Sequence, residues 1–459
     1  MLNVEQRKNY FTLGLAISFF VVLALMVRWG GIPDVSDSKF WLGVAVLGST
    51  LAVFGGLCWW LFFSPLPASA KNHSAQLSEG SYIMLLAALF AGLLTIIGVF
   101  WDETWHRIYG FAEVLNDFLW APHKLLYVSL SALTIVAGMS LYQAIRADRS
   151  DVRLGFRSHP YIGMFGLVAA YLMFSLPSDQ VWHLIYGLDI TAWSLPHILL
   201  LISFGFVMIM LSAVFLSGER SSPLNLNNVF AGFAMGIGGV MLLVLVTDYD
   251  SAAAPVTQVS AKVVQTLAER PQWTYPVTMV TLGVLLATIG VRLLRRFGVV
   301  TIAALTIILF RSFMVTFFNA SKEMGVVSHA LIVIPMLIID AWQLLWRKKD
   351  EQPTARFRIT GVLVACVSFL IVGIPVINGW LATYHINAES IVGAILVGVI
   401  MSVWASAIGE LFGGWLASLN SGRLPTVSPS LLVRQFAVSA VIAVVIFLVV
   451  FFTAPPPKV

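Results

Sequence analysis

The residues in this chain that could do chemistry come in two matched sets. The first lies in Trp101-Asp102-Glu103-Thr104-Trp105-His106-Arg107-Ile108-Tyr109-Gly110, followed by Trp120-Ala121-Pro122-His123. The second lies in Asp179-Gln180-Val181-Trp182-His183-Leu184-Ile185-Tyr186-Gly187, followed by Trp193-Ser194-Leu195-Pro196-His197. Both read Asp-x-x-Trp-His-x-Ile-Tyr-Gly, then Trp, then Pro-His. On a helix, Asp and His four residues apart lie one turn apart on one face. The second histidine follows proline, which suits the first turn of a helix because its missing N–H is an orphan there anyway. The positive end of a helix dipole favours a neutral imidazole, the form that ligates metals. One carboxylate and two imidazoles brought together by a helical hairpin make a metal-ligand set. The candidate ligands are Asp102, His106 and His123, then Asp179, His183 and His197. Imidazole suits copper, zinc, iron and nickel. With no thiolate in the set and an oxidising outer face, copper and zinc lead, and the spacing does not choose between them.

The elements that must position these residues are membrane helices. The 459-residue chain is 59% hydrophobic and only 11% charged, with a mean hydropathy of +0.90. Soluble domains carry about 25% charged residues. Thirteen apolar runs lie near residues 10–28, 40–64, 82–101, 120–142, 160–177, 195–216, 229–247, 275–294, 298–318, 328–346, 359–382, 390–418 and 434–453. Most approach the roughly 20 residues a helix needs to cross a bilayer. The expected fold is an all-α, polytopic transmembrane helical bundle of about 13 spans, with the lipid bilayer as its solvent.

Arg146, Arg149, Arg153 and Arg157 follow span four, and Arg292, Arg295 and Arg296 follow span eight. Arg347, Lys348, Lys349, Arg356 and Arg358 follow span ten, and Arg423 and Arg434 precede span thirteen. The alternate loops are poor in Lys and Arg. The positive-inside rule then predicts a multi-pass protein of the inner (cytoplasmic) membrane, with its N-terminus inside and both Asp/His/His sets on the outer face. His329 and His385 also land outside. His159 lands inside, as a solvated loop residue.

From span three onward the chain reads as tandem helical hairpins. Outgoing helices end in Asp102, Asp179, Asp248 and Asn319, spaced by 77, 69 and 71 residues. Return helices open with Pro122-His123, Pro196-His197, Trp273-Thr274-Tyr275-Pro276 and Ser328-His329. This pattern predicts duplication with decay. The third copy lacks the histidines, and the fourth has become Asn319, Glu323 and His329. Residues 1–80 form a two-helix lead-in. Residues 81–227 hold the hairpins with both Asp/His/His sets. Residues 228–459 hold degenerate hairpins and the C-terminal helices. Ser260 to Arg270 is expected to form a short amphipathic helix on the membrane surface. The glycines from Gly232 to Gly239 are expected to serve close helix packing.

Trp105, Trp182, Tyr109 and Tyr186 are expected to wall the sites at the interfacial aromatic belt. Among the intramembrane charges, Arg311 and Asp340 are expected to pair across one hairpin, and Glu410 to reach the inner interface. Cys58 and Cys366 both lie inside spans, which leaves no disulfide framework, haem-attachment motif or thiolate zinc site. No nucleotide-binding or iron–sulfur motif is present, and the basic residues follow membrane topology rather than a nucleic-acid surface.

The paired pattern resembles the C-type subunit of the copper membrane monooxygenases, the methane and ammonia oxidising family. The resemblance covers residues 95–200. Asp102, His106 and His123 match an Asp-x3-His…His set, and Asp179, His183 and His197 match a later one. The gap from His106 to His123 is longer than in that family, and Asp179 stands where the family has Asn. The resemblance implies copper ligands at these positions and a place as a subunit of a membrane oxidoreductase, with periplasmic or membrane partner subunits. Two other readings stay open: a carrier or channel that binds a cation or proton transiently, and a scaffold subunit whose polar turns dock a partner.

Overall fold

The structure is a computed structural model. It describes residues 36, 38–65, 80–109, 121–186, 195–216, 226–244, 271–294, 296–318, 326–345, 355–380, 384–418 and 429–453. Among these, every long element is an α-helix. We number them α1 (Ser38–Phe63), α2 (Gly80–Tyr109), α3 (Ala121–Ala147), α4 (Val152–Ser158), α5 (Pro160–Tyr186), α6 (Leu195–Phe215) and α7 (Leu226–Leu242). The second half holds α8 (Thr274–Leu294), α9 (Val299–Phe317), α10 (Val327–Trp342), α11 (Ala355–Trp380), α12 (Ala388–Ser418) and α13 (Pro429–Phe452). Nine described helices are long and apolar enough to cross a membrane, and α1, α5 and α7 contain shorter apolar stretches. Helices are the expected form, since a bilayer leaves backbone groups only each other as partners. Every expected run from residue 40 onward overlaps a described helix, but only nine of these are long and apolar enough to span. The run at 10–28 and the surface helix at 260–270 lie outside the described residues.

The long helices pack as a chain of neighbours. α2 packs on α3, α3 on α5, α5 on α6, α6 on α7, and α7 on α9. α10 joins α9 to α8 and α11, and α12 closes against α8 and α11. α13 lies outside, against α2 and α3. Close packing depends on small residues in α7. A Cβ on Gly236 would fall 2.9 Å from the Ala303 carbonyl oxygen of α9, and one on Gly238 would fall 3.0 Å from the Gly205 carbonyl oxygen of α6. Only a glycine-rich helix fits between both neighbours, as the sequence anticipates. Hydroxyl bonds between helices add to this. Thr95 donates to Ser129 at 2.9 Å between α2 and α3, and Tyr161 donates to the Leu416 carbonyl at 2.6 Å between α5 and α12. In lipid such bonds are worth about 0.6 kcal/mol each.

The arginine-rich end of the bundle holds two surprises. Arg157 donates to the Leu61 carbonyl at 2.9 Å, and Arg153 donates to the Pro65 carbonyl at 2.9 Å. Both therefore cap the C-terminus of α1, where carbonyls have no helical partners. Asp151 accepts from the Arg153 backbone N–H at 2.9 Å to cap α4, and from the Arg153 guanidinium, which holds its carboxyl below the usual range. His159, expected to be a solvated loop residue, is instead buried at the C-cap of α4. Burial lowers the pKa of its imidazole, because desolvation disfavours the charged form.

Candidate functional site

The two carboxylate-bearing segments continue their helices, as a shared Asp-x-x-x-His face requires. α2 runs to Tyr109, past Asp102 and His106, and α5 runs to Tyr186, past Asp179 and His183. The Pro-His pairs fall in the first turns of α3 and α6. Pro276 and Ser328-His329 fall in the first turns of α8 and α10. The side chains of residues 105–109, 174–180 and 183–186 lie outside the described set, and so do Asp248, Asn319 and Glu323. The first hairpin holds two of the candidate ligands among the described side chains, Asp102 and His123.

There, the structure brings two of the expected ligands together. His123 Nε2 lies 3.3 Å from Asp102 Oδ1, with both side chains partly exposed. One comes from the last turns of α2 and the other from the first turn of α3, so the hairpin itself makes the approach. The Tyr127 ring flanks the imidazole at 6.0 Å between centroids. Trp101, one residue before Asp102, is buried by stacking on Phe318 at 5.9 Å and by packing against Phe447 and Phe451 of α13. That anchor fixes the rotation of α2 and turns Asp102 towards α3. His197 is half-buried at the corresponding place on α6. Among the described residues, no group of three His, Cys, Asp or Glu side chains gathers at metal-ligand spacing.

Behind Asp102 lies a buried cluster that the sequence reading missed. Arg311 of α9 has no solvent exposure, and its Nη1 lies 3.6 Å from Glu103 Oε2. Its guanidinium carbon sits 4.6 Å from the centroid of Phe100, a cation–π contact. The fully buried His329 of α10 meets the same ring edge-on at 6.4 Å, and its Nδ1 lies 3.1 Å from Ser328 Oγ. The fourth hairpin's histidine therefore approaches the first hairpin, with Phe100 between. Helix depth could have revealed the ion pair. Arg311 lies six residues before the end of α9, and Glu103 lies six before the end of α2.

The expected Arg311–Asp340 pair does not form. Asp340 lies thirteen residues into α10 and Arg311 six from the end of α9. At 1.5 Å per residue the two differ in depth by about 10 Å. Asp340 instead reaches the opposite end of α9. Its Oδ2 accepts from the backbone N–H groups of Gly298 at 3.1 Å and Thr301 at 2.9 Å, and from the Thr301 hydroxyl at 2.7 Å. This is an N-cap delivered by a neighbouring helix. Gly298 at φ 93° permits it, because the left-handed turn demands a residue without a Cβ. Glu410 also has partners at that end, accepting from Arg358 at 2.7 Å and lying 3.5 Å from Arg292. His385 is in an exposed turn, its backbone N–H bonded to Gln272, in keeping with an ordinary structural role.

No protein-family model matches the chain, and comparisons with curated proteins and with solved structures give no significant match.

Proposed function

We propose that this chain is an integral membrane protein of about thirteen spans that binds a transition metal, copper first and zinc second, at Asp/His/His sites on its outer face. On this reading it serves as a subunit of a membrane oxidoreductase, and its hairpins descend from a duplicated metal-binding unit. The observation that carries the proposal is the 3.3 Å approach of His123 Nε2 to Asp102 Oδ1 across the α2–α3 junction. A histidine one helical turn beyond Asp102, His106, supplies the third donor. Asp179, His183 and His197 repeat the set. Two imidazoles and a carboxylate suit copper or zinc. Metal analysis of detergent-purified protein tests this directly. Tightly held copper or zinc is expected, with one equivalent lost in His123→Ala and in His106→Ala. Metal-free wild-type protein of normal thermal stability, after growth with both metals supplied, overturns it.

A second reading, a proton- or cation-coupled carrier, draws on the Glu103–Arg311 pair, because ionisable residues at membrane depth are costly and usually functional. Uptake into vesicles driven by a proton gradient and abolished by Glu103→Gln, in protein without bound metal, favours the carrier.

A further inference from the structure

The opposite end of the bundle carries a second charged site with a different chemistry. Arg292 ends α8, Arg358 opens α11 and Glu410 lies in the last turns of α12. One oxygen of Glu410 faces both guanidiniums, at 2.7 Å from Arg358 and 3.5 Å from Arg292. Among the described residues two cations thus share one anion, which leaves a unit of positive charge over. Arg292 is the less satisfied of the two, since its buried Nε makes no hydrogen bond among the described residues. Its path is built into α12. A Cβ on Gly413 would fall 2.9 Å from the Arg292 Cβ, and one on Gly414 would fall 3.3 Å from Arg292 Nε. Glycine at both positions lets the arginine lie flat along the helix and keeps its side chain partly exposed.

The surroundings indicate what would balance that charge. Trp342 donates its indole N–H to the Phe357 carbonyl at 3.1 Å, beside Arg358. A tryptophan with a polar tip marks the depth of lipid headgroups. From there, exposed apolar residues run along both helices: Ile359 and Ile371 on α11, and Leu411, Ile400 and Leu396 on α12. A ligand seated here would have its anionic group against two guanidiniums and its apolar body along α11 and α12. Guanidinium matches phosphate through paired N–H donors. Basic pockets between membrane helices take anionic headgroups in this way.

We propose that Arg292, Arg358 and Glu410 form a headgroup site for an anionic phospholipid, with Glu410 bridging the guanidiniums and competing with the phosphate. The test is the thermal stability of delipidated, detergent-purified protein titrated with phosphatidylglycerol, phosphatidylcholine or inorganic phosphate. Phosphatidylglycerol is expected to raise the midpoint well beyond phosphatidylcholine. Arg292→Gln leaves the Arg358–Glu410 bond intact, so it is expected to fold, and to weaken phosphatidylglycerol about five-fold. Glu410→Gln removes the competing carboxylate and is expected to strengthen it. A purely structural ion-pair cluster would instead give a less stable Glu410→Gln protein with unchanged lipid response, which overturns the proposal. So does equal stabilisation by the two lipids. A shift reproduced by inorganic phosphate alone overturns the lipid assignment in favour of a free-anion site.

Discussion

Arg311 is held by partners on α2. Its guanidinium lies over Phe100 and beside Glu103, both on α2, and the buried His329 of α10 shares the same aromatic ring. Removing one member of a buried ion pair strands the other, and that is costlier than removing both. Arg311→Met is therefore expected to lower unfolding stability by about 3 kcal/mol, because the Glu103 carboxylate then loses this guanidinium. The double variant Arg311→Met with Glu103→Gln is expected to recover most of that loss. Unfolding midpoints in detergent for the two single variants and the double test this. A double variant as unstable as the sum of the singles would mean that the pair is not coupled. The Asp102–His123 approach was legible in the sequence, because the motif occurs twice and both copies carry proline before the second histidine. The Arg311 partner was not, because the second copy has Gln180 where the first has Glu103. Repetition exposes what both copies keep and hides what one copy alone has acquired.

At the scale of the element, polar residues deep in the chain proved to belong to helix ends. Asp340 supplies α9 with the N-cap that its own loop lacks: Gly298 offers no side chain, and no side-chain cap bond comes from within the helix. Asp340→Ala leaves the Gly298 and Thr301 N–H groups and the Thr301 hydroxyl without this acceptor. The expected cost is about 2 kcal/mol. Asp340→Asn keeps an acceptor and is expected to lose less than half as much. Chemical unfolding in mixed micelles would measure both, and equal losses would assign the effect to charge rather than to capping. The same logic explains Arg153 and Arg157, which read in sequence as topology markers and in the structure also close α1. Apolar runs located the helices well, but they stop short where a helix continues beyond its apolar part. The third run ends at 101, yet α2 continues to Tyr109. Its last turns carry the polar residues, and only the Asp-x-x-x-His spacing signals that they remain helical.

At the scale of the whole molecule, helix packing sorts the polar residues by end. The start of α3, with His123, and the start of α10, with His329, share one end, joined through Asp102, Glu103, Phe100 and Arg311. Arg153, Arg157, Arg292 and Arg358 gather at the other. A bilayer with more basic loops on its cytoplasmic side would orient such a bundle with the histidine junctions outward. The chain makes this simple to check, because its only cysteines, Cys58 and Cys366, lie within helices. In a Cys58→Ser, Cys366→Ala background, a cysteine at Ser260 is expected to react with a membrane-impermeant maleimide in intact cells. One at Ser150, exposed beside the cap of α4, is expected to react only after permeabilisation. The reverse pattern would turn the histidine junctions towards the cytosol. Reducing conditions there would favour zinc or cuprous ligation by different residues, and the outer-face oxidoreductase reading would fall with the topology. The Asp102–His123 pair would then need a cytoplasmic role.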